Sequence, residues 1–306
     1  MSLLFISKIF CIWFCTYFFA SALDTRMAYS DLIPNDLQEF LYKEAVTLDR
    51  KYDADITNLS AYHSGSLPMI EDFLSDRLDI CILALPEDSE FEVLEDEQII
   101  KIPFGYKSSI VVINAENPIS EITIDELAKM FSDSSATTNL LTWRDFGISS
   151  FSTSSIKAFA VKEDVGISSD LFRHTVLGEN SYSSSVSFDG KDNIERMIVQ
   201  DKSAIGVFPT NPENANLKVL HVAQNKESIA YGPSVDNIYY SDYPIRLPFY
   251  IVFNKANLGQ LFPLINLLLS DSVADIIEKS DFYPIPKVIR EKSIIDLNLF
   301  LQDYKE

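Results

Sequence analysis

The chain has 306 residues and carries 25 Lys and Arg against 45 Asp and Glu, a formal net charge of −20. This acidity disfavours nucleic acid as a partner, and it gives an anion no long-range attraction, so an anion site would need short-range hydrogen bonds. Cys11 and Cys15 lie in an apolar N-terminal run. Loss of that run would leave only Cys81, which excludes an intramolecular disulfide.

The N-terminal segment has the layout of a cleavable secretory signal. Lys8 precedes an uncharged apolar run, residues 9–19, which is followed by Ala20, Ser21 and Ala22. Small residues at this point suit a signal peptidase, so we expect cleavage after Ala22 and a periplasmic or secreted protein. An uncleaved membrane anchor is the alternative, and the short apolar run disfavours it. Removing 22 of 306 residues leaves 284, enough for two compact units.

Apolar spacing predicts alternating helices and strands, which is typical of an α/β fold with covered sheets. The first half predicts a helix through Leu37, Leu41 and Ala45, a strand ending near Tyr62, a helix over 69–75, and buried strands over 78–85 and 110–114. Cys81, within one of these runs, is interpreted as a small buried hydrophobe rather than a reactive thiol.

The second half of the chain continues the alternation. Thr123 and Glu126 form the pattern of a capping box, which predicts a helix start at this point. Further predicted elements are a strand over 156–161, a helix over 169–177, a helix through Ile194, strands over 204–208 and 247–253, and one helix from 261 toward 277.

Two long buried strands, near residues 110 and 250, bracket a middle segment of about 140 residues, which is itself the size of a domain. The sequence therefore predicts that this segment is inserted into an outer lobe, with two crossings between the lobes. Two crossing strands form a hinge that permits closure around a ligand. We expect the hinge at residues 104–107 and 243–248.

The sequence offers little for metal or covalent chemistry. His63, His174 and His221 are scattered without metal-ligand spacing, so neither a metal nor a cofactor is expected. Residues 154–157 fit the S-x-x-K nucleophile pattern, but they precede a predicted strand where the motif needs a helix start. We interpret the match as chance and expect no enzyme. Among the histidines, only His63, beside residues 64–66, is a candidate for ligand contact.

Seven short motifs follow one another along nearly all of the chain after the signal. They lie at residues 30–34, 65–66 with 78–80, 110–114 with 117–118, 127–132 with 143–147, 204–207, 243–250 and 283–286. In this order and spacing they resemble the phosphate-type substrate-binding proteins of ABC transporters, which have the periplasmic binding protein type II fold. Each motif alone is weak, and the ordered set carries the resemblance.

The resemblance implies an α/β fold of two lobes, each a mixed sheet flanked by helices, joined by two crossing strands. Lobe 1 would comprise residues 23–106 and 246–306, and lobe 2 residues 107–245. It also implies a monomeric receptor that binds a small phosphate-like anion between the lobes and delivers it to an ABC permease.

In the family, hydroxyl groups and backbone amides at helix starts hold the oxyanion. Carried over to this chain, the resemblance implies a ligand site at Ser30, Asp31, Gly65, Ser66, Ser108, Ser109, Lys162, Asp164, Gly166, Ser168 and Ser169. Asp31 brings a negative charge into this set, and the alternative interpretation is a helix N-cap that faces away from the cleft.

The loop over residues 162–168 departs from the family pattern. Lys162 stands where Arg is expected and loses the two-pronged hydrogen bonding of a guanidinium. Gly166 replaces a serine, Ile167 replaces a glycine, and Ala84 stands where a polar residue would handle the proton of phosphate. A second hypothesis therefore stays open: a family member with a degenerate anion site that serves as an interaction or sensory protein, or binds another small solute.

Overall fold

The computed structural model describes residues 25–52, 59–86, 92–133, 141–148, 154–162 and 167–303. The predicted signal segment, residues 1–22, lies outside this range. Among the described residues, no single helix is long and apolar enough to cross a membrane, and one bent pair, Lys255–Leu268 with Asp271–Glu278, meets the length and composition needed. Both helices of that pair contribute to the buried core.

The elements of the first part of the chain are β1 (Arg26–Ser30), α1 (Asn35–Tyr52), β2 (Ser60–Ser64), α2 (Ser66–Leu74), β3 (Ile80–Ala84), β4 (Ile99–Ser108), β5 (Ile110–Asn114), β6 (Glu121–Thr123) and α3 (Ile124–Phe131). The middle part forms β7 (Lys157–Val161), α4 (Ser168–Phe172), β8 (Ser187–Asp189), α5 (Lys191–Gln200), β9 (Ala204–Phe208), β10 (Leu217–Val219), β11 (His221–Ala223) and α6 (Val235–Tyr239). The last part forms β12 (Arg246–Asn254), α7 (Leu258–Leu268), α8 (Asp271–Glu278), β13 (Tyr283–Pro284) and α9 (Lys287–Asp303).

One mixed sheet of six strands has the order β13-β4-β12-β3-β1-β2. Strands β1, β2 and β3 run parallel, while β12 runs antiparallel to both β3 and β4. Successive side chains of β1 point to opposite faces of the sheet, and different helices cover the two faces. Ala28 packs with Met69 and Phe73 of α2, whereas Met27 and Tyr29 belong to the core shared with α1, α7 and α8. The sheet is therefore covered by helices on both faces.

A second mixed sheet has the order β10-β5-β9-β7-β8, all from the middle of the chain. Ile110 and Val112 of β5 pack against Ile194 and Ile198 of α5. The opposite face carries Val111 and Ile113, which join the core of α3 and α4. A short third sheet pairs β11 with β6.

The chain crosses between the two large sheets twice. It leaves the first sheet at Ser108, the end of β4, enters the second at Ile110, and returns through β12 from Arg246 onward. The α/β fold of two helix-flanked sheets joined by two crossing strands is thus confirmed. Pairing of β4 with β12 continues to Ser108 and Arg246, so much of the segment expected as hinge lies inside the sheet.

One helix expectation needs correction, and another gains detail. The helix expected from 261 toward 277 is two helices, because Ser270 starts α8 by accepting a hydrogen bond from Val273 N at 3.3 Å. Helix α4 continues beyond Phe172 as a π-helical turn, Arg173–Leu177. The capping box at α3 is confirmed, since Thr123 Oγ1 accepts from Glu126 N and the Glu126 carboxylate accepts from Thr123 N.

Candidate functional site

The first group of predicted site residues lies at the carboxyl ends of β1, β2 and β3. Ser30 is paired in register with Ser64, and Gly65 and Ser66 follow directly as the start of α2. The Ser66 hydroxyl donates to the Ala84 carbonyl at 2.8 Å, which ties α2 to the end of β3. In open α/β sheets, ligands bind outside the carboxyl ends of parallel strands. The structure therefore brings Ser30, Gly65 and Ser66 together at the edge where a ligand is expected.

Ser30 and Asp31 interact with each other. The buried Ser30 hydroxyl donates to Asp31 Oδ1 at 3.3 Å and accepts from Leu32 N at 3.3 Å. Helix α1 begins only at Asn35, so the interpretation of Asp31 as its N-cap is wrong. The hydroxyl that was expected to donate to an anion donates to a carboxylate instead, and that negative charge opposes anion binding at this point.

The second group lies where the chain crosses between the sheets. Ser108 Oγ donates to the Ile245 carbonyl at 2.8 Å, so the two crossings are joined to each other. Ser109 Oγ donates to the Ser168 carbonyl at 2.6 Å, and the Tyr243 hydroxyl donates to the Ser109 carbonyl at 2.8 Å. Burial raises the pKa of Tyr243, which keeps this hydroxyl protonated and able to donate.

The start of α4 completes the second group. Ser168 is buried, and Ser169 Oγ donates to the Val161 carbonyl at 2.6 Å. Lys162 follows β7 with an exposed side chain, and its backbone N–H donates to the Asp189 carbonyl. Asp164 and Gly166, the other two residues predicted in this loop, lie outside the described residues.

A cavity of about 390 Å³ is lined by sequence neighbours of both groups and by none of the predicted site residues that the structure describes. Pro86 lines it two residues beyond Ala84, the acceptor for Ser66, and Ile167 lines it directly before Ser168, the acceptor for Ser109. Its remaining apolar walls come from Leu171 of α4 and from Pro244 and Leu247 at the return crossing. Elements of both sheets and of the second crossing therefore meet around one space.

The charged groups lining this cavity are two arginines, Arg173 and Arg246, and one carboxylate, Asp170. His174 and Thr175 add polar groups. Two cations against one anion is the reverse of the balance of the whole chain, which has 25 basic and 45 acidic residues. The cavity is thus a local positive region in an acidic protein.

Arg246 is held in place by acceptors at the end of α6. Its Nη1 donates to the carbonyls of Ile238 and Tyr239, its Nη2 donates to Ser241 Oγ, and its guanidinium lies 5.0 Å from the centre of the Tyr106 ring. Burial lowers the pKa of Arg246, although a guanidinium stays charged in proteins. The cavity wall therefore contains a fixed positive charge.

Sequence reasoning named neither arginine as a site residue. Arg246 lies inside the motif over residues 243–250, so the sequence shows a cation there. The sequence does not show that the return crossing places this cation beside α4. Ile167, Asp170, Leu171 and His174 follow the spacing of one helical face, which was the available signal for a helix wall.

His63, the histidine expected near the ligand, does not line the cavity. Its ring packs edge-on against Tyr29, with ring centroids 4.5 Å apart, between neighbouring strands of the first sheet. Neither His63 Nε2 nor the Tyr29 hydroxyl has a hydrogen-bond partner in the described part of the chain. Within the same residues, no three His, Cys, Asp or Glu side chains are grouped to hold a metal.

A second depression, of about 400 Å³, lies at the opposite end of the first sheet. Arg26 starts β1 there, and its guanidinium donates to both Asp79 carboxylate oxygens, at 3.1 and 2.7 Å, and to the Asp76 carbonyl at 2.7 Å. The other polar side chains of its wall are those of Asp76, Asp96, Gln98, Asn254 and Asn257. We call this the polar depression.

Known proteins resemble this chain along most of its length. A model of the PBP superfamily domain matches residues 38–272. The protein SphX of Synechococcus elongatus is 27% identical over 259 residues, 81% of this chain and 75% of the relative. The phosphate-binding protein PstS of Pseudomonas aeruginosa is 21% identical over 225 residues, 70% of this chain and 69% of the relative.

A solved structure shares the fold. The crystal structure of a possible phosphate binding protein from Planctomyces limnophilus superposes with a TM-score of 0.63 at 22% sequence identity. The match covers 89% of this chain and 98% of the other.

Proposed function

The chain belongs to the PBP superfamily, and from this premise we propose that it is an extracytoplasmic receptor that binds phosphate or a similar oxyanion between two lobes for ABC-type uptake. The family predicted from the seven motifs is confirmed by the superfamily match and by the similarity to SphX and PstS. The proposal adds a ligand class, a location and a transport role to that membership.

The observation that carries the proposal is the positively charged cavity between the two sheets. It lies next to Pro86, which follows β3, and beside the start of α4, and two of its three formally charged side chains are arginines. A cation held in a partly buried wall attracts an anion at short range, where the negative surface of the protein does not cancel it.

The proposal includes a division of the chain, with residues 23–106 and 246–306 as lobe 1 and residues 107–245 as lobe 2. In this proposal residues 1–22 are a cleavable signal. The mature protein is a monomer that delivers the bound anion to an ABC permease. One of the two relatives, PstS of Pseudomonas aeruginosa, is named a phosphate-binding protein, and this supports an anion as the ligand. Such a receptor carries no catalytic residues.

A second candidate function rests on the predicted hydroxyl donors. Ser66, Ser108, Ser109 and Ser169 donate to backbone carbonyls, and Ser30 donates to Asp31. A hydroxyl has one proton to donate, so in this arrangement none of these groups is available as a donor to an anion. This favours a receptor-like protein whose ancestral anion site has been lost.

Thermal unfolding of the mature protein separates the two functions. A ligand that binds only the folded state stabilises it by about 2.7 kcal/mol at one hundred times its Kd. We expect phosphate, arsenate, sulfate, molybdate or phenylphosphonate, at millimolar concentration, to raise the melting temperature above that in sodium chloride of equal ionic strength. No increase with any of these anions would contradict the proposal and favour the lost site.

A substitution of Lys162, the cation predicted in the loop over residues 162–168, also tests anion binding. We expect Lys162→Ala to weaken anion binding by more than about tenfold, because a charge-assisted hydrogen bond is lost. Lys129→Ala, at an exposed position of helix α3, is the matched control and should bind as the wild type does. Equal affinities of the two variants in calorimetry would show that Lys162 does not touch the ligand.

A further inference from the structure

The cavity between the sheets is large for an inorganic oxyanion. Its volume is about 390 Å³, within the range of roughly 300–1,000 Å³ that is usual for sites of organic ligands. A tetrahedral oxyanion has five non-hydrogen atoms and takes the space of about three water molecules, at about 30 Å³ each. A bare oxyanion would therefore leave most of this space to water.

The walls of the cavity are divided by chemistry. Leu171 and Leu247 are buried apolar residues, and Ile167, partly buried, packs against the same core. Pro86 and Pro244 extend this apolar surface from the two other sides. Water over such a surface makes few hydrogen bonds, whereas a hydrocarbon group that replaces it gains the free energy of apolar burial.

The charged part of the cavity fits the other end of such a ligand. Arg246 is fixed by the carbonyls of Ile238 and Tyr239, and Arg173 is half-buried on the π-helical turn. The Arg173 guanidinium can match the edge of a phosphoryl oxyanion by paired hydrogen bonds, and Arg246 adds a fixed positive charge. Asp170, the one carboxylate of the wall, limits the net charge that the cavity can neutralise.

We propose that the ligand of this protein is an organic oxyanion, a phosphonate or phosphate monoester with a compact hydrocarbon substituent. The phosphoryl group binds at Arg173 and Arg246, and the substituent packs against Ile167, Leu171 and Leu247. This inference rests on the proposed function of the same site and specifies its ligand class.

Calorimetry with phenylphosphonate, phenyl phosphate, phenylacetate and inorganic phosphate tests the inference. We expect the two phenyl phosphoryl compounds to bind about tenfold or more tightly than inorganic phosphate, because the ring buries apolar surface. Whichever of these two compounds binds more tightly shows whether the ligand is a phosphonate or a phosphate ester. Phenylacetate should bind more weakly than both, because a carboxylate offers fewer acceptor oxygens to two guanidinium groups.

Substitutions in the cavity wall test where the phenyl and phosphoryl groups bind. Thr175→Trp places a large ring at the cavity wall, so it should lower the ratio of phenyl-compound affinity to inorganic-phosphate affinity toward one. Thr175→Ser keeps the space and is the matched control. Arg173→Gln should weaken every phosphoryl ligand about tenfold, while Arg144→Gln, outside the cavity, should not.

The outcomes separate this inference from the proposed function. Inorganic phosphate that binds as tightly as the phenyl compounds, or tight phenylacetate binding, would overturn the inference and leave the oxyanion receptor standing. A phenyl preference that persists in Thr175→Trp, with Arg173→Gln unchanged, would also overturn it, since the ligand would then lie elsewhere. Absence of binding by every anion would overturn both.

Discussion

The cavity between the sheets and the polar depression have nearly equal volumes, about 390 and 400 Å³, and opposite chemistry. The charged side chains lining the cavity are two arginines and one aspartate, whereas those lining the polar depression are Arg26 and three aspartates. In the polar depression the Arg26 guanidinium is paired with the Asp79 carboxylate and also donates to the Asp76 carbonyl. The protein thus already supplies the counter-charge there.

This difference shows that volume alone does not identify a ligand site. Burial and hydrogen-bond partners determine the strength of the electrostatic interactions that a charged side chain can make. The arginine of the polar depression is 45% exposed in its side chain, so its ion pair is weakened by water. Arg246 is partly buried between α6 and the return crossing, where electrostatic interactions are stronger. The following predictions test this contrast.

The largest expected effect is that of Arg246→Met. Removing this guanidinium takes away its hydrogen bonds to the carbonyls of Ile238 and Tyr239 and to Ser241 Oγ, and we expect a loss of about 3 kcal/mol in the free energy of unfolding. Urea denaturation measures it. Arg26→Met is the matched change in the polar depression and should cost about 1 kcal/mol. Equal losses would contradict the contrast between the two regions.

A smaller effect is expected for Asp79→Asn, which removes the charge that faces Arg26. The pair is exposed on the arginine side, so we expect a loss of about 1 kcal/mol that shrinks in 1 M sodium chloride. The measurement is urea unfolding at low and high salt. A loss that is independent of salt would show that the pair acts through shape and hydrogen bonding.

The smallest effect is a pH dependence near the polar depression. Hydrogen bonds from Arg77 and then from Tyr62 hold the pKa of Asp72 below its ordinary value of 3.8. A depressed pKa contributes stability that is complete above pH 3.8 and is lost as the pH falls through the folded-state value. We expect Asp72→Asn to be less stable than the wild type at pH 7.

At a pH below the folded-state pKa of Asp72 the difference should vanish, because the wild-type carboxyl is then neutral too. Melting temperatures of both proteins across this pH range provide the measurement. Glu71→Gln, one residue away on the exposed surface of α2, is the control for removing one surface carboxylate. A constant difference at every pH would refute the assigned cause.

Strong local patterns made much of the fold predictable from the sequence. The capping box at Thr123 and Glu126 fixed the start of α3, and the β-branched run over 110–114 identified a fully buried strand. Cys81 is buried, as expected for a small hydrophobe, and burial raises the pKa of its thiol. Elements whose signal lies within four or five residues were recognised because no distant contact was needed to define them.

Elements that depend on distant partners were harder to predict. The full length of β4 was hidden by Pro103 and Gly105, which usually interrupt strands. In the structure they flank an irregularity in the pairing with β12, where Phe249 pairs with Gly105 and Tyr250 with Pro103. Helix α9 was not predicted, because apolar residues such as Val288, Ile295 and Leu299 are exposed and give no clear buried face.

The candidate site shows the same limit. The motifs predicted Ser30, Ser66, Ser109 and Ser168 as ligand-site residues. They did not reveal that the hydroxyls of Ser66 and Ser109 donate to backbone carbonyls, because both acceptors lie far away in sequence. Ser109 donates across 59 residues to Ser168, and the second crossing brings Arg246 beside α4. Such contacts are set by topology, which a single sequence does not display.

The order of the strands has a consequence for how the protein is made. In the first sheet β4 has only β12 and β13 as neighbours, and both come more than 130 residues later, as the pairing of Ser108 with Arg246 illustrates. The second sheet needs only strands between Ile110 and Val219. During synthesis the inserted unit can therefore complete its sheet while β4 still waits for a partner. Because β12 also contributes Arg246 and Leu247 to the cavity between the sheets, the same late step that completes the first sheet also completes the cavity wall.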